Sequence, residues 1–129
     1  THFANPEGFD NPDHNSSVGD LFLFAQIVFL EKPELFDISR RVASGVAGES
    51  GIVYRFDNTN RILAKYPKII GSKTGSTKDA KETLVLVYEL FPGDPVFIAL
   101  LGSDNRDADA EVIIQWLESA FTQADDSVQ

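Results

Sequence analysis

The chain has 129 residues, no cysteine and a formal net charge of −9 at neutral pH. The absence of cysteine excludes a disulfide framework and thiolate chemistry. The acidic balance argues against nucleic acid as a partner, because phosphate contacts need a basic surface. The apolar fraction of 43% is that of a soluble globular protein. The longest apolar stretch, residues 21–30, is too short to span a bilayer.

The first part of the chain, residues 1–48, is predicted to be mainly helical. Residues 1–15 are rich in Asn, Asp, Pro and Gly and predict a loop. Ser16 or Ser17 is placed to cap a helix over 18–30, with Asp20 three positions after Ser17 as in a capping box. That helix is apolar almost all round, which predicts burial on more than one side. Pro33 predicts the start of a second helix over 34–43.

The second part, residues 49–124, is predicted to form a sheet with a closing helix. Residues 52–56 read as a strand, 61–64 as its hairpin partner and 69–77 as another strand. Two apolar runs, 83–91 and 96–101, are joined by a short Pro-Gly segment, which favours an antiparallel pair with both faces covered.

The closing helix is predicted over 108–121. Its expected inward residues are Val112, Ile113, Trp116, Leu117 and Phe121. From Gln123 the chain is polar and predicts a frayed end, with residues 125–129 as a tail outside the domain.

The most informative segment is 71–77, with the sequence G-S-K-T-G-S-T. It combines a cation, hydroxyl groups and a glycine in one predicted strand. Hydroxyls of Thr74 and Thr77 can donate to a carboxylate beside the Lys73 charge, and Gly75 lets another backbone approach closely. The Lys-Thr-Gly tripeptide alone is equally compatible with a solvated strand end. A phosphate loop is excluded, because its spacing from Gly71 requires glycine at the position of Ser76.

No metal or cofactor site is predicted. His2 and His14 lack further ligands at metal-binding spacing, so loop packing is the preferred interpretation. An acidic group between Asp104 and Glu111 lacks the glycine and ligand order of a calcium loop. Acidic side chains at a helix N-terminus account for it.

Four stretches resemble the serine D-alanyl-D-alanine carboxypeptidases, the low-molecular-mass penicillin-binding proteins. Residues 1–8 resemble that family's T-H-F-x-N-P-x-G run, and 14–21 its H-x-S-[ST]-x-x-D-L helix entry. Residues 58–77 resemble its N-T-N-x-L-L, Y-P and G-x-K-T-G-x-T segments in order and spacing. Arg106, residues 108–111 and Trp116 resemble its closing helix. The likeness covers nearly the whole chain and includes one of the three active-site motifs of serine penicillin-recognising enzymes.

The resemblance implies an α/β (α+β) fold of the β-lactamase/transpeptidase type, with an antiparallel sheet flanked by helices. It also implies removal of the terminal D-alanine from peptidoglycan stem peptides through an acyl-serine intermediate. Stem peptides and β-lactams are then the expected ligands, and an exported, cell-envelope location is expected. By the same likeness Lys73 is catalytic and polarises the site. The implied substrate-binding group is Thr74, Gly75, Ser76, Thr77 and Arg106.

The family's S-x-x-K and S-x-N motifs precede its T-H-F run, and no serine in this chain has a lysine three residues later. The chain, which starts at Thr1 without methionine, is therefore expected to be a processed or partial C-terminal portion (1–129) that is inactive alone. The strand at 96–101 is expected to expose an edge that the missing N-terminal part, or a second copy, covers. A D,D-endopeptidase and a catalytically silent scaffold remain alternatives. Ser72 and Lys81 depart from the family pattern, which has an aliphatic residue and a glycine there.

Overall fold

The computed structural model describes residues 1–125, and the side chains of residues 122–125 are outside that description. The chain forms three α-helices, one 3-10 helix and five strands within these residues. In chain order they are α1 (Val18–Glu31), α2 (Pro33–Ser39), β1 (Ala43–Ala47), β2 (Val53–Asp57), the 3-10 helix (Arg61–Ala64), β3 (Ile69–Thr77), β4 (Lys81–Phe91), β5 (Asp94–Ser103) and α3 (Arg106–Asp125).

Strands β3, β4 and β5 form an antiparallel sheet in that order, as predicted for the two apolar runs. Strand β4 is central, and consecutive residues Leu86, Val87 and Tyr88 are all buried. Since neighbouring strand residues project to opposite faces, both faces of β4 are covered. Helix α3 packs on one face, and α1 and α2 pack on the other. The predicted arrangement of an antiparallel sheet flanked by helices is confirmed.

Helix α3 buries a different stripe from the predicted one. Ala110, Ile114 and Leu117 are buried against the sheet, and Ile113 is partly buried beside them. The prediction that Val112, Trp116 and Phe121 face inward is wrong, because all three are exposed; Val112 is 66% and Trp116 is 61% exposed. Residues two positions from Ile114 lie about 200° around a helix from it, so they must face away from the sheet.

Helix α1 begins where its capping residue predicts. The Ser17 hydroxyl accepts a hydrogen bond from the Asp20 N–H at 3.1 Å. The prediction of burial on more than one side is wrong for the described residues, since only Ala25 is buried and Leu23, Phe24 and Ile27 are more than half exposed. One face of α1 packs on the sheet, and the opposite face, with Leu23, Phe24 and Ile27, stays largely exposed beside Thr1 and Phe3.

The region after α2 differs from its prediction. The helix ends at Ser39 rather than at residue 43, because the following residues form β1 and pair with β2. Asn58 stabilises this end: its side-chain amide donates to the carbonyls of Ser39 (2.8 Å) and Arg41 (2.9 Å). Strand β1 also lies within the part, residues 1–48, that was predicted to be helical.

The predicted hairpin between residues 52–56 and 61–64 does not form. Strand β2 pairs with β1, and residues Arg61–Ala64 form a 3-10 helix that Asn60 caps through the N–H of Ile62 at 3.3 Å. Ile62 and Leu63 are both buried in the same cluster. A strand would send these consecutive side chains to opposite faces, whereas one helical turn directs both into the core.

Helix α3 continues to Asp125, past Gln123, where a frayed end was predicted to begin. The remainder of the predicted tail, residues 126–129, lies outside the described residues. No helix in the part of the chain that the structure describes is long and apolar enough to cross a membrane.

Gly71 lets α2 pack closely on β3. A Cβ atom at this position would lie 2.1 Å from Cδ1 of Phe36, well inside van der Waals contact. We therefore expect Gly71→Ala to lower the free energy of unfolding by about 1–3 kcal/mol, the usual cost of overpacking. Urea unfolding of the chain measures this loss.

The Phe36→Ala background is the control for that substitution. With the ring removed, Gly71→Ala should cost much less than it does when Phe36 is present. An equal cost in both backgrounds would show that the Phe36 contact is not the reason for the glycine.

Candidate active site

The K-T-G segment lies on β3, which is an edge strand of the sheet. Lys73 pairs in register with Val85, Thr74 with Leu84 and Gly75 with Thr83. Paired residues share a face, so the Thr74 side chain is on the α3 side of the sheet with Leu84. Lys73 projects to the opposite face, on the side of α1 and α2. The two polar side chains therefore flank the free edge of β3 from its two sides.

Lys73 is exposed, and its ammonium group donates a hydrogen bond to the main-chain carbonyl of Thr74. Ser76 is also exposed. The Thr77 hydroxyl accepts a hydrogen bond from the Ala80 N–H at 3.1 Å, so it holds the turn that leads into β4. Within this segment, Thr74 and Gly75 are the half-buried positions at which the 58–60 loop and Arg106 make contact with β3.

The Thr74 hydroxyl has one direct partner that the sequence reasoning did not single out. Its Oγ1 lies 2.5 Å from Oγ1 of Thr59. Thr59 is the middle residue of N-T-N (58–60), which was noted only as part of the family likeness. The available signal was an asparagine on each side of it, since such residues commonly hydrogen-bond nearby backbone and expose the residue between them.

Arg106 links three parts of the site. Its Nη1 donates to the carbonyl of Gly75 at 2.9 Å, and its Nη2 donates to the carbonyl of Thr59 at 3.4 Å. Glu82 lies 3.6 Å from Nη1 and also accepts the Arg106 backbone N–H at 3.0 Å. The Arg106 side chain is only 10% exposed. The guanidinium thus lies beneath the K-T-G strand and joins it to the 58–60 loop and to the start of α3.

Gly75 relieves a close contact within the sheet. A Cβ atom there would lie 2.5 Å from the Thr83 hydroxyl on the neighbouring strand. The glycine that was predicted to admit a ligand backbone therefore also serves the packing of β3 against β4.

Nothing among the described residues opposes the prediction that the chain holds no metal site. In residues 1–125 no three His, Cys, Asp or Glu side chains are grouped so that they could hold a metal ion. His2 Nδ1 lies 2.7 Å from the Asp13 carbonyl, and His14 Nδ1 accepts the Ala4 N–H at 3.3 Å. Both histidines therefore serve loop packing. A cavity of about 320 Å³ lies between the chain start and α1, and none of its lining residues belongs to β3.

Residues 1–89 match the family model described as D-alanyl-D-alanine carboxypeptidase. The chain belongs to this peptidase family. No curated protein matches the chain significantly. The resemblance stated from the motifs is therefore confirmed at the level of the family.

Solved structures match over most of the chain. A mutant of a Streptomyces DD-transpeptidase has a TM-score of 0.78 at 27% identity, covering 90% of this chain and 47% of that one. Another structure of the Streptomyces enzyme gives 0.74 at 26% identity, covering 87% and 45%. A D-alanyl-D-alanine carboxypeptidase from Mycobacterium tuberculosis shares the fold, with a TM-score of 0.73 at 24% identity, covering 89% and 46%.

The chain thus spans just under half the length of these solved relatives. Its fold is that of part of a penicillin-binding, transpeptidase-type domain. The α/β class with an antiparallel sheet is confirmed by this match.

Lys81 opens β4 with a backbone φ of +57°, in the left-handed region that favours glycine. This is the position at which the family pattern has glycine. Its ammonium group lies 2.8 Å from a carboxylate oxygen of Asp104, and this hydrogen bond and charge hold the pKa of Asp104 below its usual range. Both side chains are exposed, so the pair contributes little to stability.

We expect Lys81→Gly to stabilise the chain relative to Lys81→Ala by about 1 kcal/mol. Both variants lose the ion pair with Asp104, and only glycine relieves the left-handed backbone, so alanine is the matched control. Thermal unfolding should show a melting temperature about 4 °C higher for glycine. Equal melting temperatures would contradict backbone strain at this turn.

Proposed function

We propose that the chain is the C-terminal portion of a serine D,D-carboxypeptidase domain that trims the terminal D-alanine of peptidoglycan stem peptides. The observation that carries the proposal is the K-T-G segment on a free sheet edge, with the Thr74 hydroxyl held by Thr59 and the strand held by Arg106. A free edge offers main-chain hydrogen-bonding groups to an extended peptide. Family membership supports the same chemistry.

Each residue of the K-T-G segment has a role in this proposal, as does Arg106. The Lys73 ammonium polarises the acyl-transfer site from one side of β3. Thr74, together with Thr77, binds the terminal carboxylate of the substrate by hydroxyl donation. Gly75 lets the substrate backbone lie along the strand, and the Ser76 N–H belongs to the oxyanion hole. Arg106 contributes positive charge from beneath the Gly75 carbonyl.

The attacking serine lies outside this chain in the proposal. Ser72, the serine nearest to Lys73, is buried, and its N–H donates to the Ser39 hydroxyl at 3.1 Å. A nucleophilic serine needs a base within hydrogen-bond reach and access to the substrate. We expect the acyl-serine intermediate to form on a residue of the N-terminal portion, and this chain alone to be inactive.

The partner that the proposal requires is that N-terminal portion. Strand β5 has no further strand on its outer side within residues 1–125, so its main-chain groups are open to pairing there. The uncovered apolar face of α1 adds a second surface for the same partner. Pairing with a second copy of the chain is the competing arrangement. Peptidoglycan as substrate places the complete protein in the cell envelope after export.

A DD-transpeptidase activity is a second candidate for the complete domain. It is favoured by the matches to the Streptomyces DD-transpeptidase at 26–27% identity. Both activities share one acyl-enzyme, which water resolves in a carboxypeptidase and an amine resolves in a transpeptidase. Product analysis with and without an acceptor amine separates the two, and crosslinked peptides as substrates test the endopeptidase alternative.

The complete domain should be acylated by a labelled penicillin, and Lys73→Ala should slow acylation by about 10²–10⁴-fold, the range for a lost proton-transfer or polarising group. Lys78→Ala, which removes another exposed lysine five residues further along, is the matched control and should acylate at the wild-type rate. Gel fluorescence against time measures each rate.

The 129-residue chain alone should take up no label. Absence of labelling in the wild-type complete domain would instead favour the catalytically silent scaffold. If Lys73→Ala and Lys78→Ala slow acylation equally, Lys73 has no specific role in the site.

A further inference from the structure

The N-T-N loop (residues 58–60) is fixed on both sides of its central residue. The Asn58 N–H donates to the Val42 carbonyl at 2.8 Å, and the Asn58 side-chain amide donates to two carbonyls at the end of α2. Asn60 is 2% exposed and caps the 3-10 helix. The Asn60 N–H also donates to Oδ1 of Asn58 at 2.9 Å. The Asn58 side chain and Oδ1 of Asn60 are thereby used within the fold, and Thr59 between the two asparagines is exposed.

Thr59 contacts the K-T-G strand by two routes. Its hydroxyl lies 2.5 Å from the Thr74 hydroxyl, and its carbonyl accepts from Nη2 of Arg106 at 3.4 Å. The other terminal nitrogen of the same guanidinium donates to the carbonyl of Gly75, the residue next to Thr74. The loop and the strand are thus joined through a direct hydroxyl contact and through a buried cation. Such double attachment limits the movement of the Thr74 hydroxyl relative to the strand.

A hydroxyl has one hydrogen to donate, and its oxygen can accept at the same time. In the pair between Thr59 and Thr74, either oxygen can be the donor. A carboxylate bound at Thr74 needs the Thr74 hydrogen, which leaves the Thr74 oxygen to accept from Thr59. The resulting chain runs from Thr59 through Thr74 to the anion, and consecutive hydrogen bonds of this kind strengthen one another.

We propose that Thr59 is a positioning residue that orients the Thr74 hydroxyl toward the terminal carboxylate of the substrate. The inference rests on the proposed function, because it takes the ligand to be a peptide with a C-terminal carboxylate. Thr59 acts through Thr74 and does not itself touch the reacting atoms. Its contribution is therefore specific to substrates that carry the negative charge.

The test uses the complete domain and two acyl donors that differ only at the C-terminus, a D-alanyl-D-alanine peptide and its C-terminal carboxamide. Thr59→Val keeps the side-chain shape and removes the hydroxyl, and Thr59→Ser retains the hydroxyl. For the carboxylate substrate, we expect Thr59→Val to lower kcat/KM by about tenfold or more, the usual effect of losing a hydrogen bond that supports a charged group. The Thr59→Ser variant should stay within about threefold of wild type.

For the carboxamide substrate, Thr59→Val should change kcat/KM by less than about threefold. In a Thr74→Val background, Thr59→Val should cause no further loss for either substrate, because its route of action is already removed. A general structural defect would instead lower kcat/KM equally for both substrates, and it would also lower the melting temperature. Each of three results would overturn the proposal. The first is an equal loss of kcat/KM on the two substrates, and the second is full additivity of the losses from Thr59→Val and Thr74→Val. The third is failure of Thr59→Ser to restore activity.

Penicillin acylation of the wild-type domain separates the two levels of inference. Suppose that the wild type is acylated and that Thr59→Val has the same ratio of kcat/KM for the two substrates as wild type. In that case only the positioning role is wrong. If the wild type is neither acylated nor active on the peptide, the proposed function and the positioning role are both wrong.

Discussion

The buried guanidinium of Arg106 is the interaction on which the arrangement of the site depends. A cation that is largely removed from water must find acceptors nearby, or the fold bears a large desolvation cost. Arg106 finds them in the carbonyls of Gly75 and Thr59 and in the Glu82 carboxylate. Those acceptors belong to β3, to the 58–60 loop and to the start of β4. The contacts of the two terminal nitrogens of Arg106 therefore hold three segments together around the Thr74 hydroxyl.

The parts of the fold that could be predicted from the sequence are those whose pattern reflects local geometry. The apolar runs of β4 and β5 with their short connection predicted an antiparallel pair, and the Ser16-Ser17 pair predicted the start of α1, where Ser17 is the cap. The segment at 69–77 was predicted as a strand, and it is β3. In each case the decisive signal lies within one continuous stretch of chain.

The predictions that were wrong concern elements whose structure depends on residues far away in the sequence. The end of α2 is set by Asn58, nineteen residues after Ser39, and by the pairing of β1 with β2. Residues Arg61–Ala64 form a 3-10 helix because both Ile62 and Leu63 enter the core. The inward residues of α3 were assigned from its apolar pattern, yet Trp116 is exposed, and the small Ala110 is fully buried. The site was predicted by motif alone, so the contact of Thr59 with Thr74 could not be found before the strands were placed.

In the proposed function, β3 forms one side of an acyl-transfer site that the N-terminal portion completes. The decisive experiment is a crystal structure of the penicillin-acylated complete domain. We expect an acyl-serine upstream of this chain, with the carboxylate of the bound β-lactam within hydrogen-bond distance of Oγ1 of Thr74, whose oxygen still contacts Thr59. A β-lactam carboxylate bound away from β3, with no contact to Thr74, would contradict it.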